Sequence, residues 1–192
     1  MSNIIYHFKD VFFFSKQKTI PVLDEEDSSV GTIVRTFNED GFLEEEQIRK
    51  GTFYAFQNHA GKTTLSFAVK KQGLKAFLGY AYTFYLHDAN EQFQLEDAKG
   101  LIYLYFHVKG KIKGKKFEAH EDWDGNITLK WDKTIFGKIK VDTYTYKIEV
   151  EIVNNTVAPL LLTPGFVSLI YCMYRIYDTE TAVINELLDY IT

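Results

Sequence analysis

The feature that most constrains this fold is a stretch near the C-terminus that is apolar on every side of the helix it predicts. Residues 158–174 read APLLLTPGFVSLIYCMY. Thr163 is a good N-cap, and Pro164 suits the first helical position, where its missing N–H costs nothing. A helix that is apolar all round must be enclosed by lipid or by protein. The stretch has about 17 residues and is interrupted at Thr163-Pro164-Gly165, whereas a spanning helix needs about 20 apolar residues. We therefore expect a helix over 164–177 that is buried inside the protein.

The first 155 residues read almost wholly as strands punctuated by turns. The turn Asp124-Gly125-Asn126 is a strong hairpin signal. Residues 144–153 alternate with period two, so Tyr144 and Tyr146 are expected to share a face with the isoleucines and valine that follow. Roughly eleven or twelve strands result. They are 4–8, 11–14, 19–23, 30–37, 52–57, 64–69, 80–86, 101–108, 111–119, 127–131, 138–141 and 144–153.

A second, shorter helix is expected after the apolar one. The polar pair Asp178-Thr179 predicts a break or a kink. Beyond it Val183, Leu187 and Tyr190 form one apolar stripe, as in an ordinary surface helix. No repeat, low-complexity tract or linker divides the sequence. We therefore expect one domain over residues 1–192, with strands in 1–155 and helices in 158–192.

The order of these elements resembles a known fold family. The residues that carry the resemblance are Ile20-Pro21-Val22-Leu23-Asp24, the segment 30–37 (VGTIVRTF) and the helix after Pro164. They resemble the tubby C-terminal-like superfamily, which includes tubby proteins, phospholipid scramblases, plant LURP-one-related proteins and small bacterial tubby-like proteins. The resemblance implies a closed barrel around a hydrophobic helix. The expected fold is therefore mainly β, a β-barrel of about a dozen antiparallel strands with a central hydrophobic C-terminal helix and a second short C-terminal helix.

Composition and charge exclude several classes of protein. Disorder is excluded because 16 Phe and 13 Tyr accompany a net charge of only −4. With 26 acidic against 22 basic residues, a strongly basic nucleic-acid module is disfavoured. The single Cys172 excludes a disulfide scaffold and fits a reducing compartment. Residues 1–10 lack the features of a secretory signal, so we expect a cytoplasmic location, with peripheral membrane contact as an option.

The most distinctive chemical feature is the basic segment 109–117, KGKIKGKKF. It predicts a site for an anionic ligand. Its candidate binding residues are Lys109, Lys111, Lys113, Lys115 and Lys116. Anionic lipid headgroups attract such clusters at about 1 kcal/mol for each Lys or Arg near the surface. The resemblance agrees, because tubby proteins bind phosphoinositides through basic side chains of the barrel. The alternative is a solvated hairpin whose lysines only guard the strand face.

No other segment predicts a catalytic residue, a metal ligand or a cofactor. Asp122, Asp124 and Asn126 have the spacing of calcium ligands, but Gly125 is misplaced for a calcium loop, so a tight turn is expected. The five histidines have no metal-ligand spacing. Cys172 is expected to be a small buried hydrophobe. Gly61-Lys62-Thr63 lacks the earlier glycine of a phosphate loop.

These observations favour a non-enzymatic binding or scaffold module that contacts anionic lipid through the lysine segment. Two alternatives stay open. One is a protein-interaction module without lipid binding. The other is a carrier of a hydrophobic ligand, because the aromatics of 80–85 and 103–106 could line a barrel cavity rather than pack in the core. The oligomeric state is not predicted.

Overall fold

The computed structural model describes residues 3–10, 19–37, 52–71, 80–98 and 105–189. Within these ranges only the backbone is described for residues 36–37, 52–53, 70–71 and 180–189. The predicted strand 11–14 lies outside the described residues.

Twelve strands form one closed barrel in which each strand runs antiparallel to both neighbours. Eleven of the twelve pairings join consecutive strands, and β1 closes the ring on β12 from Ile4↔Ile152 to Lys9↔Lys147. Closure leaves no unpaired sheet edge. The strands are β1 Ile4–Lys9, β2 Thr19–Asp24, β3 Ser29–Phe37, β4 Thr52–Gln57, β5 Thr63–Lys71, β6 Tyr80–Leu86, β7 Glu91–Asp97, β8 His107–Ile112, β9 Lys115–Glu121, β10 Ile127–Trp131, β11 Thr134–Val141 and β12 Lys147–Ile152.

A single helix, α1, follows the barrel and occupies its interior. After a 3₁₀ turn at Pro159–Leu162, α1 runs over Pro164–Asp189. Thr163 caps it as predicted, because the Phe166 N–H donates to Thr163 Oγ1 at 3.2 Å. Every residue from Phe166 to Tyr174 is buried. The predicted mainly β fold, a barrel with a central hydrophobic helix, is confirmed.

The aromatic residues pack around this helix. The Phe166 ring has its centroid 5.2 Å from that of Phe117, 6.0 Å from Phe84 and 6.3 Å from Phe93. These three partners come from β9, β6 and β7. Farther along the helix, Tyr171 meets Phe8 of β1 with centroids 5.4 Å apart. Because α1 fills the lumen, the aromatics form a core, and the space that a hydrophobic-ligand carrier would need is occupied.

The two ends of the barrel differ. At the entry end, where α1 begins, short turns at 24–28, 58–62 and 113–114 join the strands. At the exit end, which carries the turns 122–126 and 142–146, α1 leaves the barrel. There Asp10, only 3% exposed, accepts a hydrogen bond from the Tyr171 hydroxyl at 2.6 Å and an ion pair from Arg175 Nε at 2.6 Å. This cluster fixes the helix where its buried part ends.

The predicted second helix is wrong, because α1 is continuous through Asp178-Thr179 to Asp189. The polar pair does not break the helix because both side chains find partners inside it. The Asp178 carboxylate contacts the Arg175 guanidinium one turn earlier, and Thr179 Oγ1 donates to the Arg175 carbonyl at 2.8 Å. Polar side chains that are hydrogen-bonded or ion-paired within the helix do not stabilise a non-helical backbone conformation in its place.

Several predicted strands also change. The strand β7 was not predicted, and the strand expected at 101–108 begins at His107 among the described residues.

Tyr144 and Tyr146 do not share the buried face of β12. They lie in the turn before it, and Tyr144 is 94% exposed. The turn's own hydrogen bonds explain the difference, since Asp142 Oδ1 accepts from the backbone of Tyr144 and Thr145.

Two substitutions three residues apart in α1 test the packing of the helix. A Cβ atom at Gly165 would lie 2.9 Å from the Phe56 ring, closer than a relaxed contact. We expect Gly165→Val to lower the free energy of unfolding by about 3 kcal/mol through overpacking. Ser168 Oγ is buried with no hydrogen-bond partner among the described residues. We expect Ser168→Ala to raise the free energy of unfolding by about 1 kcal/mol.

Urea unfolding followed by circular dichroism measures both changes. A Gly165→Val protein as stable as the native one would contradict the close packing of α1 against β4.

Candidate functional site

The lysine segment forms the tip of one hairpin. Strands β8 and β9 are joined by the two-residue turn Lys113-Gly114, whose φ angles are +50° and +80°. Positive φ at both positions is the signature of a type I′ hairpin turn, and glycine favours it. The strands predicted at 101–108 and 111–119 place the hairpin turn at Lys109-Gly110. That prediction is wrong, because the turn lies at Lys113-Gly114. Gly110 lies inside β8, where an added Cβ atom would be 2.4 Å from the Gln94 carbonyl oxygen.

Strand alternation turns Lys109, Lys111 and Lys116 outward and their apolar neighbours inward, whereas Lys113 lies in the turn and Lys115, opposite Ile112, is exposed because it lies at the end of the hairpin. Ile112 and Phe117 are buried in the barrel. All five predicted binding residues are exposed. The structure therefore brings Lys109, Lys111, Lys113, Lys115 and Lys116 together on one exposed hairpin. Whether the hairpin binds an anion stays a prediction.

The charges of these lysines are compensated to different degrees. Lys109 lies opposite Glu118 on β9 and opposite Glu96 on β7. Lys115 Nζ lies 4.3 Å from the centroid of the Trp131 ring and 3.9 Å from Asp132 Oδ2.

The other three lysines lack such partners. Lys111 and Lys116 face each other directly across the ladder. Like charges in that position destabilise a sheet. In the part of the chain that the structure describes, no acidic group lies within 4.0 Å of the Lys111, Lys113 or Lys116 ammonium. Among the described residues, these three ammonium groups at the tip are thus uncompensated by an ion pair, although Asp132 accepts a hydrogen bond from the Lys116 backbone N–H at 3.0 Å.

One acidic turn of the same barrel end lies on the opposite wall, whereas Asp132 lies beside the hairpin in the turn between β10 and β11. The turn Asp24–Asp27 joins β2 to β3, which is six strand positions around the twelve-strand ring from the β8–β9 hairpin. His7 Nε2 contacts Asp27 Oδ1 at 2.9 Å. The entry end therefore has a basic side and an acidic side.

A pocket of about 360 Å³ opens at the base of the same hairpin, toward the exit end. It is lined by Tyr105, Phe106, His107, Glu118, His120, Glu121, Asp122, Trp123 and Lys130. Trp123 is 90% exposed, and its ring meets that of Tyr105 edge to face with centroids 5.4 Å apart. We call this feature the base pocket.

Two histidines in the base pocket form a cross-strand pair. His107 lies opposite His120, and their ring centroids are 6.0 Å apart. Burial lowers the pKa of both imidazoles, and the nearby Lys130 ammonium lowers both further. Sequence reasoning missed this pair although the correct turn would have revealed it. In a hairpin that turns at Lys113-Gly114, residue 112 lies opposite residue 115, and each further step along β8 is matched by one step along β9. Residue 107 therefore lies opposite residue 120.

The acidic side chains of the base pocket differ in the hydrogen bonds and ion pairs that they form. Glu121 Oε2 accepts a hydrogen bond from the Phe106 N–H at 3.0 Å, and burial raises the pKa of its carboxyl group. Burial also raises the pKa of Asp122, but Lys138 at 2.9 Å and backbone N–H donors outweigh it, so the net shift is downward. Asp122 Oδ1 accepts from the Asn126 N–H at 2.9 Å, as in the predicted tight turn rather than a calcium loop.

The remaining candidate residues are structural in this fold. Cys172 is 2% exposed on α1, and burial raises the pKa of its thiol well above the usual range. Lys62 lies in the β4–β5 turn, where its ammonium pairs with Asp88. Within the described ranges, no three His, Cys, Asp or Glu side chains are grouped so that they could hold a metal ion.

The fold and a comparison with known families agree. The family model described as Tubby C-terminal like domain matches residues 6–177, which is 172 of the 192 residues. The chain belongs to the tubby C-terminal-like family. The match begins in β1 and ends at Tyr177, two residues beyond the Arg175 contact with Asp10. Neither the curated proteins nor the solved structures provide a significant match.

Membership of the tubby C-terminal-like family indicates a binding or scaffold module, in a family that is generally non-enzymatic. Among the described residues, no helix combines the length and the apolar character that crossing a bilayer requires.

The paired histidines predict a loss of stability in mild acid. Their pKa is lower in the folded chain than the usual 6.5. The unfolded chain therefore binds protons first as the pH falls through about 6.5, and protonation favours unfolding. Burial also lowers the pKa of His87. We expect the thermal midpoint to be constant between about pH 7 and 8 and to fall as the pH drops below 6.5.

The double substitution His107→Gln, His120→Gln should remove about two thirds of this fall, because it replaces two of the three histidines with a lowered pKa and leaves His87 in place. His59 is exposed in the β4–β5 turn, so His59→Gln is the control. An unchanged pH dependence in the double variant, measured by calorimetry, would contradict the assignment.

Proposed function

We propose that this tubby-like domain is a cytoplasmic, non-enzymatic module that binds anionic lipid surfaces through the tip of the β8–β9 hairpin. The observation that carries the proposal is the cross-strand pair Lys111–Lys116, which places two like charges side by side with Lys113 at the turn between them. Such a pair costs stability in the free protein. A layer of phosphate groups would relieve the repulsion.

The expected affinity is modest and sensitive to salt. At about 1 kcal/mol per lysine near an anionic surface, the three uncompensated lysines contribute about 3 kcal/mol. That figure corresponds to a dissociation constant of several millimolar, so the contact would be peripheral and reversible. Surface charges interact over a Debye length of about 8 Å at physiological salt. Raising the salt concentration should therefore release the protein.

Charge distribution favours one orientation on a membrane. The acidic turn Asp24–Asp27 lies at the same end of the barrel on the wall across from the hairpin, so an anionic surface that the lysines touch would favour a tilted barrel with that turn farthest from the surface. Lys109 has Glu96 and Glu118 as direct neighbours, which reduces its share of the attraction. We expect the tip residues Lys111, Lys113 and Lys116 to carry most of the binding.

A charge-reversal variant tests this proposal. Replacing Lys111, Lys113 and Lys116 by Glu should lower binding to vesicles that contain phosphatidylserine and a phosphoinositide by more than about tenfold, because three attractions become repulsions. Vesicle co-sedimentation at low salt measures the bound fraction, with pure phosphatidylcholine vesicles as the neutral reference. The native protein should bind only the anionic vesicles.

The matched control replaces Lys9, Lys62 and Lys147 by Glu. These residues are exposed elsewhere on the barrel, and the net charge changes equally. We expect the control to keep more of the binding than the tip variant. Equal losses would show that overall charge, and not the hairpin, determines the contact. No binding by the native protein would favour the alternative of a protein-interaction module without lipid binding.

A further inference from the structure

We propose that the base pocket binds an arginine side chain presented by a partner protein. Among the described residues, the pocket joins an exposed aromatic wall, a carboxylate without an ion pair and a buried nitrogen without a hydrogen-bond partner. A guanidinium group is the side chain that satisfies all three, because it is planar, positively charged and rich in N–H donors.

The aromatic wall provides a stacking surface. Trp123 is 90% exposed and Tyr105 is 40% exposed, and their edge-to-face contact leaves indole surface open to solvent. Tryptophan is the best aromatic partner for a cation, and arginine stacks on it more often than lysine does. Exposed Trp next to a pocket is also typical of the residues that dominate protein interfaces.

Glu118 provides the matching charge. Its carboxylate makes no ion pair within 4.0 Å in the part of the chain that is described, although Lys109 and Lys130 lie opposite it on the neighbouring strands. Glu121 is already engaged with the Phe106 N–H, and Asp122 with Lys138 and its own turn. The pocket lining has three carboxylates and one ammonium group, that of Lys130, so it is acidic, which suits a guanidinium. Arginine and carboxylate groups pair through two parallel hydrogen bonds.

His107 provides the third observation. Its Nε2 atom is buried and has no hydrogen-bond partner among the described residues. A buried polar atom left unpaired is costly, and in a neutral imidazole it can accept a hydrogen bond. An N–H group of an arginine could donate to it. A lysine ammonium, with three donors on one compact nitrogen, would match this planar arrangement less well.

Binding should weaken in mild acid. The groups that face the two histidines are Lys109 on β8, Glu118 and Glu121 on β9, Asp122 in the turn and Lys130 on β10. At neutral pH the imidazoles are uncharged because burial lowers their pKa. Protonation, which requires a pH below the ordinary imidazole pKa of 6.5, would add positive charge beside the guanidinium and remove the acceptor on His107.

The test uses the blocked peptide Gly-Gly-Arg-Gly-Gly together with versions that carry lysine or citrulline in the middle. Citrulline keeps the shape of arginine and removes its charge. Titrations followed by amide chemical shifts of 15N-labelled protein should show saturable changes at residues 118–123 with the arginine peptide, with a dissociation constant of about 1 mM. The lysine and citrulline peptides should bind at least about tenfold more weakly.

Two variants and two controls locate the site. Glu118→Gln and Trp123→Ala should each weaken arginine binding about tenfold or more. Glu96→Gln removes an exposed carboxylate on β7 outside the pocket and should leave binding unchanged. The triple lysine variant of the hairpin tip should still bind the arginine peptide saturably, which separates this proposal from lipid binding. Thermal unfolding confirms that each variant is folded.

The proposal is wrong if the arginine peptide gives no saturable shifts up to about 10 mM, ten times the expected constant. Equal binding of the citrulline peptide would overturn it as well, because charge recognition is its central claim. An unchanged affinity in both Glu118→Gln and Trp123→Ala would do the same.

Discussion

The ring of Phe166 lies where three aromatic side chains from separate strands, Phe84, Phe93 and Phe117, meet one position of a helix. The rest of the structure depends on this enclosure. A helix that is apolar on all sides gains its stability only when every side is covered, and a closed sheet is the element that covers every side. Twelve strands provide a lumen wide enough for the helix, and closure of β1 on β12 removes the sheet edges at the same time.

The same enclosure requires a defined place where the helix can leave the barrel. A buried charge is stable only when it is paired and hydrogen-bonded, and Asp10 meets that condition with Tyr171 and Arg175. These two contacts connect the end of β1 to α1. In sequence, Asp10 and Tyr171 are 161 positions apart. From Arg175 to Thr179 the side chains are half-buried or exposed. The cluster therefore marks the boundary between the enclosed and the external parts of α1.

The parts of the fold that the sequence could predict are those with a local signal. The apolar helix and its Thr163 cap follow from residue type and spacing alone. The hairpin register does not, because KGKIKGKK contains two Lys-Gly pairs and either could form the turn. The contact with the neighbouring strand determines the register. The close approach of the β7 backbone requires glycine at 110, so the turn forms at the second Lys-Gly pair, where the positive φ favours glycine at 114. The His107–His120 pair and the base pocket depend on that register, so they could not be predicted, and the Asp10 cluster has no local signal.

The β8–β9 hairpin carries positive charge at its tip and negative charge at the base pocket. The distance between the charged groups determines whether the two regions interact. Lys113 at the turn and His120 in the base pocket are seven residues apart, or about 23 Å of extended strand, but Lys116 is only two residues, or about 7 Å, from Glu118 on the same face. Because the shorter distance lies within the Debye length of about 8 Å at physiological salt, the lysine tip should weaken arginine binding at the base pocket in part, and a lipid surface that neutralises the lysines should relieve this repulsion. Both strands are paired on their outer sides, β8 with β7 and β9 with β10, which holds the two surfaces at this fixed separation. Occupation of the tip by a lipid surface therefore leaves the base pocket open toward the exit end. The two contacts can then be made at once, the arrangement that a module joining a partner to a membrane requires.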